Sequence, residues 1–300
     1  MKLTHIKGNT YVLEGEEFIP LYKTGPDTCV LLDTGLLIER EDLENTLLEH
    51  GLTPIGVLCS HAHVDHCANN GYLQEKYGAK VALTWPEAGM CSSVLTLKNY
   101  FLTLPASLVE RESGCMVHRP DVIIPDTDGP FAFCGAEFGI LHTPGHSAGH
   151  VAIITPDNVC YVGDALLSRD LQNAKLPYSL RHTTARESRD KLLSTRCDCY
   201  IMAHRGLCNA ADFPALVRDN NDLFARRSAE ILSLIDRPMT FSTIDQTVCA
   251  HYSLLTRQYR RALRFERNVR FFVEFLADEG YLDMECVEGT VYYHKVKDMV

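Results

Sequence analysis

Residues 58–70 read LCSHAHVDHCANN, and directly after an apolar run they place His61, His63, Asp65 and His66 within six positions. With 13 histidines in the chain, an H-x-H-x-D-H string would arise from composition alone in roughly two of a thousand such sequences. Imidazole and carboxylate are the ligands expected for zinc or a similar divalent metal. Near-alternate spacing in an extended loop makes the side chains diverge, so one stretch can serve two metals. The competing reading is a solvated loop that is rich in histidine by chance.

Three more loops of the same kind follow. LHTPGHSAGH (141–150) carries His146 on a Pro-Gly turn after a strand-like run, CYVGDALL (160–167) carries Asp164, and YIMAHRG (200–206) carries His204. A lone His or Asp in such a place is more often structural, but four loops in this order point to one centre. Together with LLDTG (31–35) they resemble the metallo-β-lactamase-fold hydrolase superfamily over about residues 1–222.

The resemblance implies an α/β fold, the four-layer αββα sandwich, with metals at one edge. Carried over, His61, His63 and His146 would hold a first metal. Asp65, His66 and His204 would hold a second, and Asp164 would bridge both. Asp33 would stand behind the ligands and orient the histidine loop. His150 reads as a hydrogen-bonding strut, because seven ligands already fill the site. The implied cofactor is a pair of divalent ions, zinc by preference, with iron or manganese as alternatives. Cys67, beside His66 at a helix start, reads as packing rather than chemistry.

Two divalent ions with Asp65, Asp164 and a bridging hydroxide leave a net charge of about +1, and metal coordination brings the pKa of water to about 7. Such a hydroxide would attack a carbonyl or phosphorus, and the residual charge would stabilise the oxyanion. Asp65 would also pass a proton to the leaving group. His63 favours the hydrolase branch over the flavodiiron branch, which typically has a carboxylate there. Residues 143–167 look most like hydroxyacylglutathione hydrolases, whose C-terminal region with basic residues for glutathione is absent here. The expected activity is hydrolysis of a small-molecule thioester, ester or lactone, with a mononuclear iron persulfide dioxygenase as a lesser alternative.

Substrate contacts are less legible. In the loop after Asp164, LSRDLQNAKLPYSLRHTTARES (167–188), Tyr178 could donate to an oxyanion, and Arg181, His182 and Arg186 could meet an anionic substrate. A plain solvated loop is an equal reading. The helical pattern over 86–118 predicts a roof which, with Trp85, Tyr100 and Phe101, would make the pocket apolar.

Composition sets bounds on the rest. The chain is 46% hydrophobic and 23% charged, as a globular protein with a large core should be. No apolar run approaches the roughly 18–20 residues of a membrane span, and the N-terminus lacks the h-region of a signal peptide, so cytoplasm is the expectation. The twelve cysteines are scattered without a CxxC pair, which suits buried, reduced thiols.

Around residue 223 the pattern changes to helix, helix, helix and hairpin, the order of a winged-helix unit over 223–300. This segment holds 11 basic and 11 acidic residues, so the whole net charge of −10 lies on 1–222. Arg257, Arg260, Arg261, Arg264, Arg267 and Arg270 recur at three- and four-residue steps and form one helical stripe. It could contact nucleic-acid phosphates, as in a ribonuclease branch of the same superfamily. That makes a nucleic-acid phosphodiesterase the rival function. The preferred reading docks the stripe on the acidic domain or on a homodimer mate.

Overall fold

The computed structural model describes residues 1–299. A first sheet contains, side by side in chain order, β1 (Lys2–Lys7), β2 (Thr10–Glu14), β3 (Phe18–Lys23), β4 (Thr28–Leu32), β5 (Thr53–Leu58), β6 (Lys80–Thr84) and β7 (Val122–Ile124). Its strands pair antiparallel up to β4 and parallel from there on. The second sheet follows with β8 (Gly129–Phe133), β9 (Ala136–His142), β10 (Val151–Ile154), β11 (Val159–Gly163), β12 (Cys199–Met202) and β13 (Gly206–Asn209). In it only β11 and β12 run parallel.

Helices α1 (Arg40–Glu49), α2 (Val64–Cys67), α3 (Asn70–Tyr77), α4 (Trp85–Met90), α5 (Val94–Tyr100) and α6 (Ala106–Ser113) belong to the first half of the chain. Local signals set their ends. Ser93 and Thr96 form a capping box at the start of α5, and Gly78, at φ 67°, closes α3 in the left-handed region. Helix α7 (His182–Leu192) joins the halves of the β11–β12 crossover. After the second sheet come α8 (Phe213–Ser233), β14 (Met239–Thr240), α9 (Phe241–His251), α10 (Tyr259–Asp278) and the hairpin β15 (Leu282–Val287) and β16 (Thr290–Lys295).

The layering follows from strand periodicity, since successive side chains point to opposite faces. In β4, Val30 and Leu32 enter the core between the sheets, while Cys29 and Leu31 enter the core under α1 and α3. Residues 151–153 and 159–162 split likewise. Val151, Ile153, Val159 and Tyr161 face the first sheet, and Ala152, Cys160 and Val162 face Leu192, Phe213, Leu216 and Val217 of α7 and α8. The result is the expected helix–sheet–sheet–helix stack. Cys67 lies wholly inside the first core, and all twelve cysteines are free thiols, eight of them buried.

Helix α8 is continuous across residue 222. Phe213, Leu216 and Val217 pack on the second sheet, whereas Phe224, Ile231 and Leu232 join a separate core with Ile244, Val248, Phe272, Leu276 and Leu282. That core holds α9, α10 and a three-stranded sheet in the order β14-β16-β15. The buried face of α10 is Val269, Phe272, Val273 and Leu276, one helical stripe. Among the described residues no helix is long and apolar enough to cross a membrane.

Candidate metal centre

Asp33 and the seven predicted ligands lie beyond strand ends at one edge of the stacked sheets, in loops or, for Asp65 and His66, in the short helix α2. Asp33 follows β4, His61 to His66 follow β5, and His146 lies between β9 and β10. Asp164 and His204 follow β11 and β12. Two glycines make this convergence sterically possible. A Cβ on Gly163 (φ 52°) would stand 2.7 Å from His150 Nε2, and one on Gly145 (φ 120°) would stand 2.3 Å from the Ala185 backbone.

The ring nitrogens of His61 (Nε2), His63 (Nδ1) and His146 (Nε2) converge, with His63 Nδ1 at 2.9 Å from the first and 3.0 Å from the last. Burial strips these rings of their charge: it holds His61 and His146 well below the ordinary histidine value and takes His63 down to about 3 even against the pull of Asp65. Three neutral imidazoles aiming nitrogens at one point cannot all be satisfied by one another's protons. That donor set fits a cation.

Asp65, His66 and His204 form a second group whose ligand atoms lie within 4.8 Å of one another. Here carboxylates dominate. Burial opposes charge on His204, but Asp164 and Glu17 raise its pKa to about 11, and His66 is likewise raised by Asp164 and Asp65 despite its burial. Protons supply the positive charge that this group demands.

Asp164 stands between the groups. Its Oδ2 is 3.3 Å from His146 Nε2 and 3.1 Å from His204 Nε2, and its Oδ1 is 3.6 Å from His66 Nε2. Both Asp164 Oδ1 and His66 Nε2 are buried without a hydrogen-bond partner. Such atoms are costly unless something accepts their lone pairs, so the residues present fit a bound cation here too.

A buried scaffold fixes these side chains. Asp33, in the left-handed region at φ 67°, accepts from Ser60 N and Oγ, from Tyr161 Oη at 2.7 Å and from His66 Nδ1 at 2.8 Å. His66 therefore presents Nε2 to the centre. His150 has both nitrogens in use. The Asp164 N–H donates to Nε2 at 3.1 Å, which leaves Nδ1–H to donate to Thr143 Oγ1 at 2.8 Å. Asn220 clamps the Asp164 loop through both the N–H and the carbonyl of Leu167.

Several supports were not legible beforehand. Glu17 faces His204 Nδ1 at 2.8 Å. Buried Glu87 accepts from Ala62 N at 2.9 Å, and from Ser147 Oγ and Gly149 N at 2.7 Å each. It thereby ties the loop of His61 and His63 to the loop of His146. Neither glutamate stands in a patterned string, and only a contact across the fold reveals its role. Tyr100, read as part of an apolar roof, places its hydroxyl 2.6 Å from His63 Nε2 and 3.0 Å from that of Tyr178.

Other expected contacts fall elsewhere. His182 is buried among Phe224, Phe272 and Phe275 with neither nitrogen hydrogen-bonded, because the first turn of α7 faces the C-terminal core. Arg181, the residue before α7, and Arg186 within it are exposed. Trp85 is 67% exposed and does not roof the pocket, whereas Tyr100 and Phe101 line a cavity against α10. Arg260, Arg264, Arg267 and Arg270 of the arginine stripe line the same cavity.

Comparison with known proteins gives a consistent picture. Residues 6–204 match the metallo-beta-lactamase superfamily. A probable metallo-hydrolase of Bacillus subtilis is 27% identical over 181 residues, covering 60% of this chain and 81% of that protein. A hydroxyacylglutathione hydrolase of Haemophilus influenzae is 28% identical over 174 residues, covering 56% of this chain and 76% of its own. Among solved structures, a metallo-beta-lactamase family protein of Thermus thermophilus superposes with a TM-score of 0.69 at 23% identity, over 93% of this chain and 94% of that one. A beta-lactamase domain protein of Burkholderia ambifaria gives 0.69 at 17% identity, over 98% and 94%. These two likenesses extend through the C-terminal region and concern the fold.

Proposed function

This chain belongs to the metallo-beta-lactamase superfamily, and from that premise we propose that it is a hydrolase of a small acyl compound, a thioester, ester or lactone, working with two zinc ions. The observation that carries the reading is the position of Asp164 between two groups of three ligands, with Oδ2 within 3.3 Å of His146 in the first group and 3.1 Å of His204 in the second, and Oδ1 toward His66. His61, His63 and His146 would hold one ion, Asp65, His66 and His204 the other, and Asp164 both. Bound there, such ions supply Lewis-acid polarisation and water whose pKa falls from 15.7 to about 7.

The chain's own residues would do the rest. Asp33 and Glu17 would take the outer N–H groups of His66 and His204, which keeps the inner nitrogens as lone-pair donors. With His63 Nδ1 directed inward, its Nε2–H donates to Tyr100 Oη. The Tyr100 hydroxyl then donates to Tyr178 Oη, which leaves the Tyr178 proton for a developing oxyanion. Asp65, about a quarter exposed, would carry a proton toward the leaving group.

The relative described as a hydroxyacylglutathione hydrolase favours a thioester. We read 223–300 as a winged-helix-like unit that shapes the pocket, because its arginines face the cavity beside Tyr100. This placement disfavours the nucleic-acid phosphodiesterase. The test is a panel of thioesters, esters, lactones and an RNA oligonucleotide, with and without chelator. Chelator-sensitive cleavage of an acyl member supports the reading, and cleavage of RNA alone contradicts it.

A further inference from the structure

Between the α5–α6 segment and α10 lies a cavity of about 530 Å³, within the size range of small-ligand sites. Phe101, Leu102, Leu104, Leu263 and Phe271 give it apolar walls. Its residues on α10 are positions 260, 263, 264, 266, 267, 270, 271 and 274, a face at helical spacing with Glu266 at its margin. Four arginines on that face meet three carboxylates, Glu112, Glu266 and Glu274.

The arginines are not equivalent. Arg260 is paired with Glu112, and Arg270 lies 3.9 Å from Glu266 with its guanidinium over the Phe241 ring. Arg264 and Arg267 make no ion pair among the described residues. Arg267 stacks on Tyr178 at 4.3 Å, and its Nε is buried with no acceptor. A buried guanidinium N–H without an acceptor is a standing cost that an anion would remove. Arg264 and Arg267, three residues apart, lie on the same helix face and suit a shared oxyanion group.

The cavity adjoins the metal centre. Tyr100 lines it and touches His63, and Tyr178, under Arg267, stands with its ring 5.0 Å from that of His146. Asn268 holds the Tyr178 loop against α10 by donating to Leu176 O at 2.9 Å.

We infer that this cavity binds the part of the substrate remote from the scissile bond, and that this part is an apolar segment ending in a phosphate or carboxylate held by Arg264 and Arg267. The inference rests on the hydrolytic reading above for what becomes of the ligand, but not for its binding. A nucleic acid fits the cavity less well, because two of the four cations are already paired and the walls between them are aliphatic and aromatic.

Calorimetry with the full chain tests it, using octyl phosphate, octanoate and octanol as probes. At least one of the two anions should bind about tenfold or more tightly than octanol, and the other anion shows which headgroup is preferred. Arg264→Gln with Arg267→Gln should bring that anion down to the level of octanol, while persisting octanol binding shows the cavity intact. Equal binding of all three probes, an anion preference that survives the double substitution, or displacement of octyl phosphate by a single-stranded oligonucleotide would overturn the inference. Octanoyl thioesters of a neutral and of a phosphorylated thiol separate the two claims. Anion binding with neither thioester cleaved would leave the cavity assignment standing and count against the thioester reading.

Discussion

His66 Nδ1 lies 2.8 Å from Asp33 Oδ2, both side chains are buried, and the opposite nitrogen of His66 faces Asp164 with no hydrogen-bond partner. A carboxylate that never enters the centre thus decides which lone pair does. Asp33→Asn should keep the fold, because asparagine tolerates the left-handed backbone at φ 67°. It should weaken metal binding by about 10–100-fold. Competition with a chromophoric chelator measures this, and unchanged affinity would remove Asp33 from the account.

Glu87 joins the two histidine loops through three accepted hydrogen bonds. In Glu87→Gln one amide nitrogen must face an N–H or O–H donor, which leaves a buried donor unpaired at a cost of about 1–3 kcal/mol. Denaturant unfolding should show that loss, together with a fall in turnover, because the ligands no longer share one brace.

The Tyr100–Tyr178 hydroxyl pair, 3.0 Å apart beside His63, should act on kcat. Tyr178→Phe should lower kcat by about 100-fold or more with metal content unchanged. Tyr100→Phe should have a smaller effect, since it removes only the group that orients Tyr178. An effect confined to KM would make Tyr178 a binding residue instead.

His182 makes stability depend on pH away from the candidate metal centre. Burial among phenylalanines lowers its pKa from 6.5 to about 3. The unfolded chain therefore binds a proton in that window that the folded chain refuses. Its effect is absent above about 6.5, grows as the pH falls toward 3, and costs up to about 1.4 kcal/mol per unit. His182→Leu should flatten the acid side of the stability profile, which urea unfolding between pH 7 and pH 5 will register.

The candidate ligands were readable because metal chemistry demands rare residue types, and these stand in loops after apolar, β-branched runs that read as strands. His61, His63 and Asp65 needed only a local string, whereas His146, Asp164 and His204 gained meaning from order along the chain. The four layers came with the family resemblance, and in the structure Val30 and Cys29 part to opposite faces of β4 accordingly. Glu17, Glu87 and Tyr100 were not readable in their roles, because each acts across fold contacts of 25 residues or more in sequence and none stands in a patterned string. His182 misled for the complementary reason. Its neighbours in sequence are polar, but the helix that it begins turns it into a core built 40 to 90 residues further on. The arginine stripe was visible, but which way it faced was set by how α10 packs.

The central claim is that seven side chains hold two ions in one centre, and metal content per chain tests it most directly. The account predicts about two zinc equivalents in the wild type. It predicts loss of one from His204→Ala, which removes a ligand of a single group, and a greater loss from Asp164→Ala, which removes the residue shared by both. A single iron per chain with consumption of dioxygen, or two equivalents retained in Asp164→Ala, would contradict it.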